Sequence, residues 1–345
     1  MDFLSRYFEE AISPILKNDS VQIGRFGYSG ADILKLAGED AYKQAFNDWI
    51  WEEWIPTRRE RKKELLKLDS NETRIAELQS LILKGHAIPF IGAGLSVPTG
   101  MPTWGRFLRD TCKRTKGFKV TELEALLAAG DYEGAATRIF GAMPPQLFGE
   151  RFESSFKIQS AQNIEGAIRF IPTLFDSHVI TTNFDEILET VFEEAGHPFN
   201  ETLYGTGISE FRRASSRGAR CLLKLHGSYK TNQGRVLLKE EYDDFYESTN
   251  LGCQEFSYLF RNGGMVFLGC SLAQDRTMAL FKNLADDDKN IPRNYALLQR
   301  PKQNKLNERE HYLAERNIFP IWYDGDHGAD VEAFLVGIME DLKRL

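Results

Sequence analysis

The stretch from His86 to Trp104, HAIPFIGAGLSVPTGMPTW, constrains the fold more than any other part of the chain. Ala87 to Ile91 is a short apolar run ended by glycine. It reads as a buried parallel strand, because it is too short for a buried helix. The chain then breaks into Gly92-Ala93-Gly94-Leu95-Ser96. Two glycines spaced by one residue at the carboxyl end of a strand permit a sharp turn and a close approach of backbone to a pyrophosphate. Gly92, Ala93, Gly94 and Ser96 are therefore the expected cradle. The pattern departs from the fingerprint of hydride-transfer enzymes, which has a third glycine where Val97 stands, an immediate helix, and an acidic residue about twenty positions on. Pro98, Gly100 and Pro102 instead keep the chain irregular up to Thr103, a helix cap before Trp104. The GxxxxGK[ST] loop of nucleoside triphosphatases occurs nowhere in the chain.

Further strand signals follow the same logic. His178 to Thr182 leads into Asn183-Phe184-Asp185, Cys221 to Leu225 into His226-Gly227-Ser228, and Met265 to Leu268 into Gly269-Cys270-Ser271; Tyr295 to Leu298 and Ile318 to Tyr323 supply two more. Apolar strands alternating with helices predict an α/β, Rossmann-like parallel sheet of about six strands with helices on both faces. In such a sheet the ligand lies outside the carboxyl ends of the strands, so these polar, glycine-bearing ends can converge. Residues 104–175 read as helical throughout, an insertion over the mouth of the first strand. Residues 1–80 read as a separate helical extension, with Phe3, Leu4, Tyr7, Phe8, Ile12 and Ile15 at helical spacing. The sheet domain with its insertion is expected over 81–345. Trp49, Trp51 and Trp54 in the extension fit either a small helical core or an oligomer or partner contact. The run RRERKK at 58–63, interleaved with Glu60 and Glu64, reads as a solvated helix face, with nucleic acid contact as the alternative.

A formal net charge of −7 over 345 residues argues against a broad nucleic-acid-binding face. The opening segment carries Arg6, Glu9 and Glu10 inside its apolar pattern, so it reads as neither signal peptide nor membrane span. Four scattered cysteines, Cys112, Cys221, Cys253 and Cys270, read as reduced thiols of a cytoplasmic protein.

The strand ends together resemble the sirtuin family. Gly92 to Ser96 is similar to its GAG[IV]S loop, Ser96 to Pro102 to its S-x-x-x-G-I-P continuation, and Thr182 to Asp185 to its Q-N-[IV]-D motif. Leu225-His226-Gly227 resembles the catalytic L-H-G segment, and Gly269-Cys270-Ser271 the G-[TS]-S ribose-binding turn. The order is kept over roughly residues 85 to 325. Two departures select a branch. The span Tyr229 to Gly264 holds only Cys253, where sirtuin deacylases carry two cysteine pairs for zinc, and Thr103-Trp104-Gly105 stands where the family has Asp-Phe-Arg. These features resemble the sirtuin-like, NAD-hydrolysing domains of prokaryotic antiviral systems.

The resemblance implies an NAD glycohydrolase that depletes NAD and is controlled by assembly or by a partner. Relatives of this size resemble those encoded beside a HerA-type DNA-translocating ATPase, so a homo-oligomer and that class of partner are implied too. The chemistry needs a pyrophosphate cradle, an amide to hold ribose or water, and a base. Asn183 offers both donor and acceptor, and the imidazole of His226 suits a base. By resemblance Asp185 holds the nicotinamide carboxamide and Gly269 and Ser271 the ribose. Other roles remain open: Asn183, Asp185 and Ser271 also fit helix-capping or first-turn positions, and His327 fits either a turn or a contact with the adenine end. Two alternative activities stay open as well, an NAD-dependent deacylase or ADP-ribosyltransferase, and a non-catalytic NAD or ADP-ribose sensor. Without C-x-x-C pairs the chain is expected to hold no zinc, so elemental analysis of the purified protein should find it below stoichiometric amounts.

Overall fold

The computed structural model describes residues 2–13, 21–23, 25–160 and 164–345. Its main sheet has seven strands: β3 (Ala87–Ile91), β4 (Val179–Thr181), β5 (Glu201–Tyr204), β6 (Cys221–Lys224), β7 (Gly264–Leu268), β8 (Asn294–Gln299) and β9 (Ile318–Tyr323). They lie in the order β5-β6-β4-β3-β7-β8-β9, and every pairing is parallel. The central strands are apolar on both faces, and β7 is buried at all five positions, as a sheet covered by helices on both sides requires. Pro89, which has no amide hydrogen to donate, precedes the short stretch, Phe90 and Ile91, over which β3 pairs with β4. Pro320 lies in β9, an edge strand.

The strand missing from the expected six is β5. It reads Glu-Thr-Leu-Tyr, is only half-buried throughout and pairs with β6 alone, so no apolar run marks it. From β3 the chain adds β4 and then β6 on one side, and β7, β8 and β9 on the other. The switch point falls between β3 and β7, where sheets of this kind open a crevice for a ligand.

Most of the described residues of 104–175 are helical and none of them is in a strand, as expected. Four helices of this stretch, Trp104–Cys112, Val120–Ala128, Tyr132–Gly141 and Pro145–Phe156, bury a core that includes Phe107, Leu123, Ile139, Phe148, Phe152 and Phe156. Thr103 caps the first of them by accepting the Arg106 amide at 3.4 Å.

The chain divides into two compact units, Met1–Glu64 and Leu65–Leu345, so the sheet unit begins earlier than residue 81. The helix Asn71–Leu83, expected in the extension, belongs to the sheet unit. Asn71 is fully buried; its Nδ2 donates to the carbonyls of Leu65 and Trp322 at 2.7 and 2.8 Å, and its Oδ1 accepts the Trp322 amide at 2.9 Å. An apolar helical stripe reads the same whichever core buries it, which is why the sequence left the boundary too late.

The first unit is not wholly helical. A hairpin, β1 (Val21–Ile23) antiparallel to β2 (Phe26–Tyr28), accompanies the helices Ser5–Ile12, Gly30–Leu36 and Glu39–Trp49. Phe8 centres its core, with the rings of Tyr42, Phe46 and Trp49 at 5.5, 5.5 and 5.6 Å. Of the three tryptophans, Trp54 is buried and Trp51 is 53% exposed. Ile15 lies outside the described residues. No helix among the described residues is long and apolar enough to cross a membrane.

Replacing Asn71 with alanine removes three hydrogen bonds and takes their side-chain partner from the amide and carbonyl of buried Trp322; the Leu65 carbonyl keeps the Leu68 amide. Asn71→Ala should lower the stability of the sheet unit by about 3 kcal/mol, read from the midpoint of chemical denaturation.

Candidate active site

The turn after β3 and the turn after β7 cross in contact. The Gly92 amide donates to the Leu268 carbonyl at 2.8 Å and the Gly94 amide to the Gly269 carbonyl at 2.9 Å. A Cβ on Gly92 would lie 2.5 Å from the Gly269 oxygen, and one on Gly94 2.8 Å from the same atom. The glycines thus admit the neighbouring backbone. The Leu95 and Ser96 amides are also donated within the turn, to Gly92 and Ala93. The expectation that Gly92 and Gly94 offer their amides to a ligand is corrected here, since the turn spends them internally. The loop still lines a cavity of about 510 Å³, together with Asn183, Asp185, His226, Gly269 and Ser271. The structure therefore brings the sequence-selected strand ends to one place.

Asn183 and Asp185 line the cavity, and Phe184 between them borders it while anchoring the turn. Its ring sits in the aromatic core of the helical insertion, 4.9 Å from Phe152, 5.3 Å from Phe156 and 5.5 Å from Trp104. Thr181 fixes the turn from the other side, accepting the Asn183 amide at 2.9 Å and donating to the Ile91 carbonyl at 2.7 Å. Asn183 does not cap a helix; its Nδ2 donates to Ser96 Oγ at 3.1 Å, linking the amide to the glycine turn. Asp185 does serve the helix Ile187–Glu194, accepting the Ile187 amide at 3.1 Å.

Beneath this turn lies a buried ion pair that sequence reading missed. Lys224, at the end of β6, is fully buried. Its ammonium donates to the Asp185 carbonyl and to Glu189 at 2.9 Å. Burial pushes the carboxyls of Asp185 and Glu189 above the usual range, and the Lys224 charge offsets part of that. A lysine in an apolar strand signals a buried partner in principle, but nothing in the sequence names which one.

His226 is 8% exposed. Its Nε2 is 3.1 Å from the Tyr246 hydroxyl, which is 2.7 Å from Thr277 Oγ1; its Nδ1 is 3.4 Å from the Tyr242 hydroxyl. Burial depresses the imidazole from its ordinary 6.5 to about 3, so the ring is neutral throughout the physiological range. The expected base of moderate pKa is corrected to a weak one. The two tyrosines are four residues apart on and just beyond the helix Lys239–Phe245, a spacing that puts them on one face. That periodicity was their only signal.

A second cavity, of about 380 Å³, opens beyond Gly269-Cys270-Ser271, which line both cavities. His327 borders this second cavity, with its Nδ1 bonded to the Tyr323 hydroxyl. Cys112, Cys221 and Cys253 are buried and all four cysteines are free. Among the described residues no three His, Cys, Asp or Glu side chains gather as a metal site would require.

Because a side chain at position 94 meets backbone before it meets a ligand, Gly94→Ala should cost about 1–3 kcal/mol through overpacking. Thermal unfolding should register that loss even with no nucleotide present.

Residues 177–321 match the model of the SIR2-like domain. Over 216 residues the chain is 23% identical to Defense-associated sirtuin 2 of Bacillus subtilis, a match covering 61% of this chain and 20% of that protein. Over 188 residues it is 22% identical to the NAD(+) hydrolase ThsA of Cytobacillus dafuensis, covering 54% of this chain and 36% of that one. The matches thus span only a fifth to about a third of these relatives' own length. With its strand-end turns gathered at the switch point of a parallel sheet, the chain is similar to the SIR2-like domain over residues 177–321.

Proposed function

We propose that this protein is an NAD glycohydrolase, cleaving NAD to nicotinamide and ADP-ribose and acting as an NAD-depleting effector in antiviral defence. The observation that carries this reading is the paired cavity. Asn183, Asp185 and His226 line one chamber, and the Gly269–Ser271 turn is shared with a second. A two-ended molecule fits such a site, with its reacting end among the polar groups and its other end beyond the turn. The two similar proteins, a defence-associated sirtuin and an NAD(+) hydrolase, support the same direction. Control by assembly, or by a partner such as a HerA-type ATPase, belongs to this proposal, since free hydrolysis of NAD would harm the host.

In the reaction the bond between ribose C1′ and the pyridinium nitrogen breaks, and its electron pair neutralises the departing nicotinamide. Water adds to the resulting oxocarbenium carbon and gives up a proton. Asn183, held by Ser96, is placed to orient the ribose hydroxyls or the water. Asp185, whose carboxylate is near the cavity, holds the carboxamide and offsets the positive charge that moves from pyridinium to ribose. A neutral His226 suits both stages: it does not repel the pyridinium cation, and it takes the proton of the attacking water. Because the carbon under attack is strongly electrophilic, a weak base suffices. The two hydroxyls around the ring hold its orientation.

His226→Ala and Asn183→Ala should each reduce NAD cleavage by roughly 10²-fold, the scale for losing a positioned acid–base or orienting group. Affinity for ADP-ribose, measured by calorimetry, should change much less. The pH profile is a separate check. Since His226 in the free enzyme stays neutral down to about 3, kcat/KM should lack the acid limb that an ordinary imidazole base produces around 6.5. A limb there that disappears in His226→Ala would contradict the assigned environment.

A further inference from the structure

The second cavity lies at the carboxyl ends of β8 and β9 and is lined by one charged side chain, Arg309, and by no carboxylate. Arg309 is carried by the helix Gln303–Ala314. Its Nη2 donates to the Ser271 carbonyl at 2.7 Å, which fixes the guanidinium against the turn that both cavities share. The other arginines on the cavity walls are neutralised. Arg109 pairs with Glu124 at 2.7 Å, and Arg276 with Glu133 and Asp243 at 2.7 and 2.6 Å. Arg309 has no carboxylate within ion-pair distance among the described residues; besides the Ser271 carbonyl it meets the Tyr312 ring, 5.2 Å away, and feels the like charge of Arg316. A half-buried guanidinium with no carboxylate partner leaves positive potential facing this chamber, while the neighbouring Arg316 is paired with Glu315 at 3.5 Å.

With the nicotinamide end of a dinucleotide in the first cavity, its adenosine end crosses Gly269–Ser271 into the second. Dinucleotide sites that select NAD place a carboxylate on the adenosine ribose diol, whereas an arginine there accommodates a 2′-phosphate. This chamber has the arginine and lacks the carboxylate. We propose that Arg309 binds the 2′-phosphate of NADP, so that the site accepts NADP as well as NAD and gains affinity from the extra phosphate. The inference rests on the dinucleotide reading above and adds the specificity of its adenosine end.

Binding separates the two without requiring turnover. The full chain is titrated calorimetrically with ADP-ribose and with 2′-phospho-ADP-ribose, as wild type and as Arg309→Gln. The wild type should bind the phosphorylated ligand at least about tenfold more tightly, the effect of one charge-assisted contact. Arg309→Gln should lose that preference while its affinity for ADP-ribose changes by less than about threefold. Equal wild-type affinities would overturn the inference alone, and that comparison does not depend on the variant folding. Equal weakening of both ligands by Arg309→Gln would also overturn it, by placing the guanidinium on the shared pyrophosphate. If neither ligand binds the wild type, the dinucleotide reading falls and this inference with it.

Discussion

The contact on which this site depends is the crossing of two glycine turns. Gly92 and Gly94 leave β3 so close to Gly269 that no Cβ fits between them, and two amide bonds tie the strand ends together. Gly269 itself takes a φ of +69°, a conformation that costs glycine little and other residues more. Everything that follows is placed by this knot. Ser96, at the end of the first turn, positions Asn183, and the second turn forms the wall between the two cavities. The glycines act on the ligand site indirectly, by allowing one backbone to lie on another.

Around that knot, charge is distributed in a way that suits a cationic substrate. The buried ammonium of Lys224 is held low in the site by the Asp185 carbonyl and by Glu189, and His226 contributes no charge near neutrality. The carboxylate of Asp185 faces a cavity whose nearest imidazole cannot compete with a pyridinium for it. Phe184 supplies the mechanical counterpart. Its ring is buried among Trp104, Phe152 and Phe156, so the helical insertion and the Asn183–Asp185 turn share one core, and displacing either disturbs the other.

The sheet was legible where it is buried on both faces. β3, β4, β6 and β7 are short apolar runs ended by glycine or polar residues, and each candidate site residue was found by taking the residues that follow such a run. β5 was not legible, because an edge strand paired on one side has no need of apolar residues on both faces. The helix Asn71–Leu83 was assigned to the wrong unit because what ties it to the sheet is the bonding of Asn71 to Trp322, two residues 251 apart. The environment of His226 was hidden for the same reason. Its basicity is lowered by burial and its ring is bonded by Tyr242 and Tyr246, and an isolated histidine after a strand reports none of this. Sequence showed which groups gather; their ionisation and bonding are properties of the packing.

The central claim is that NAD loses nicotinamide to water at this site. The most direct measurement incubates the full chain with NAD in ¹⁸O-labelled water, alone and with the product of the neighbouring gene, and identifies the products by chromatography and mass spectrometry. The account predicts equimolar nicotinamide and ADP-ribose, with one ¹⁸O incorporated into each ADP-ribose. NAD left intact under both conditions, or nicotinamide released with the ADP-ribosyl group on an acceptor other than water, would contradict it.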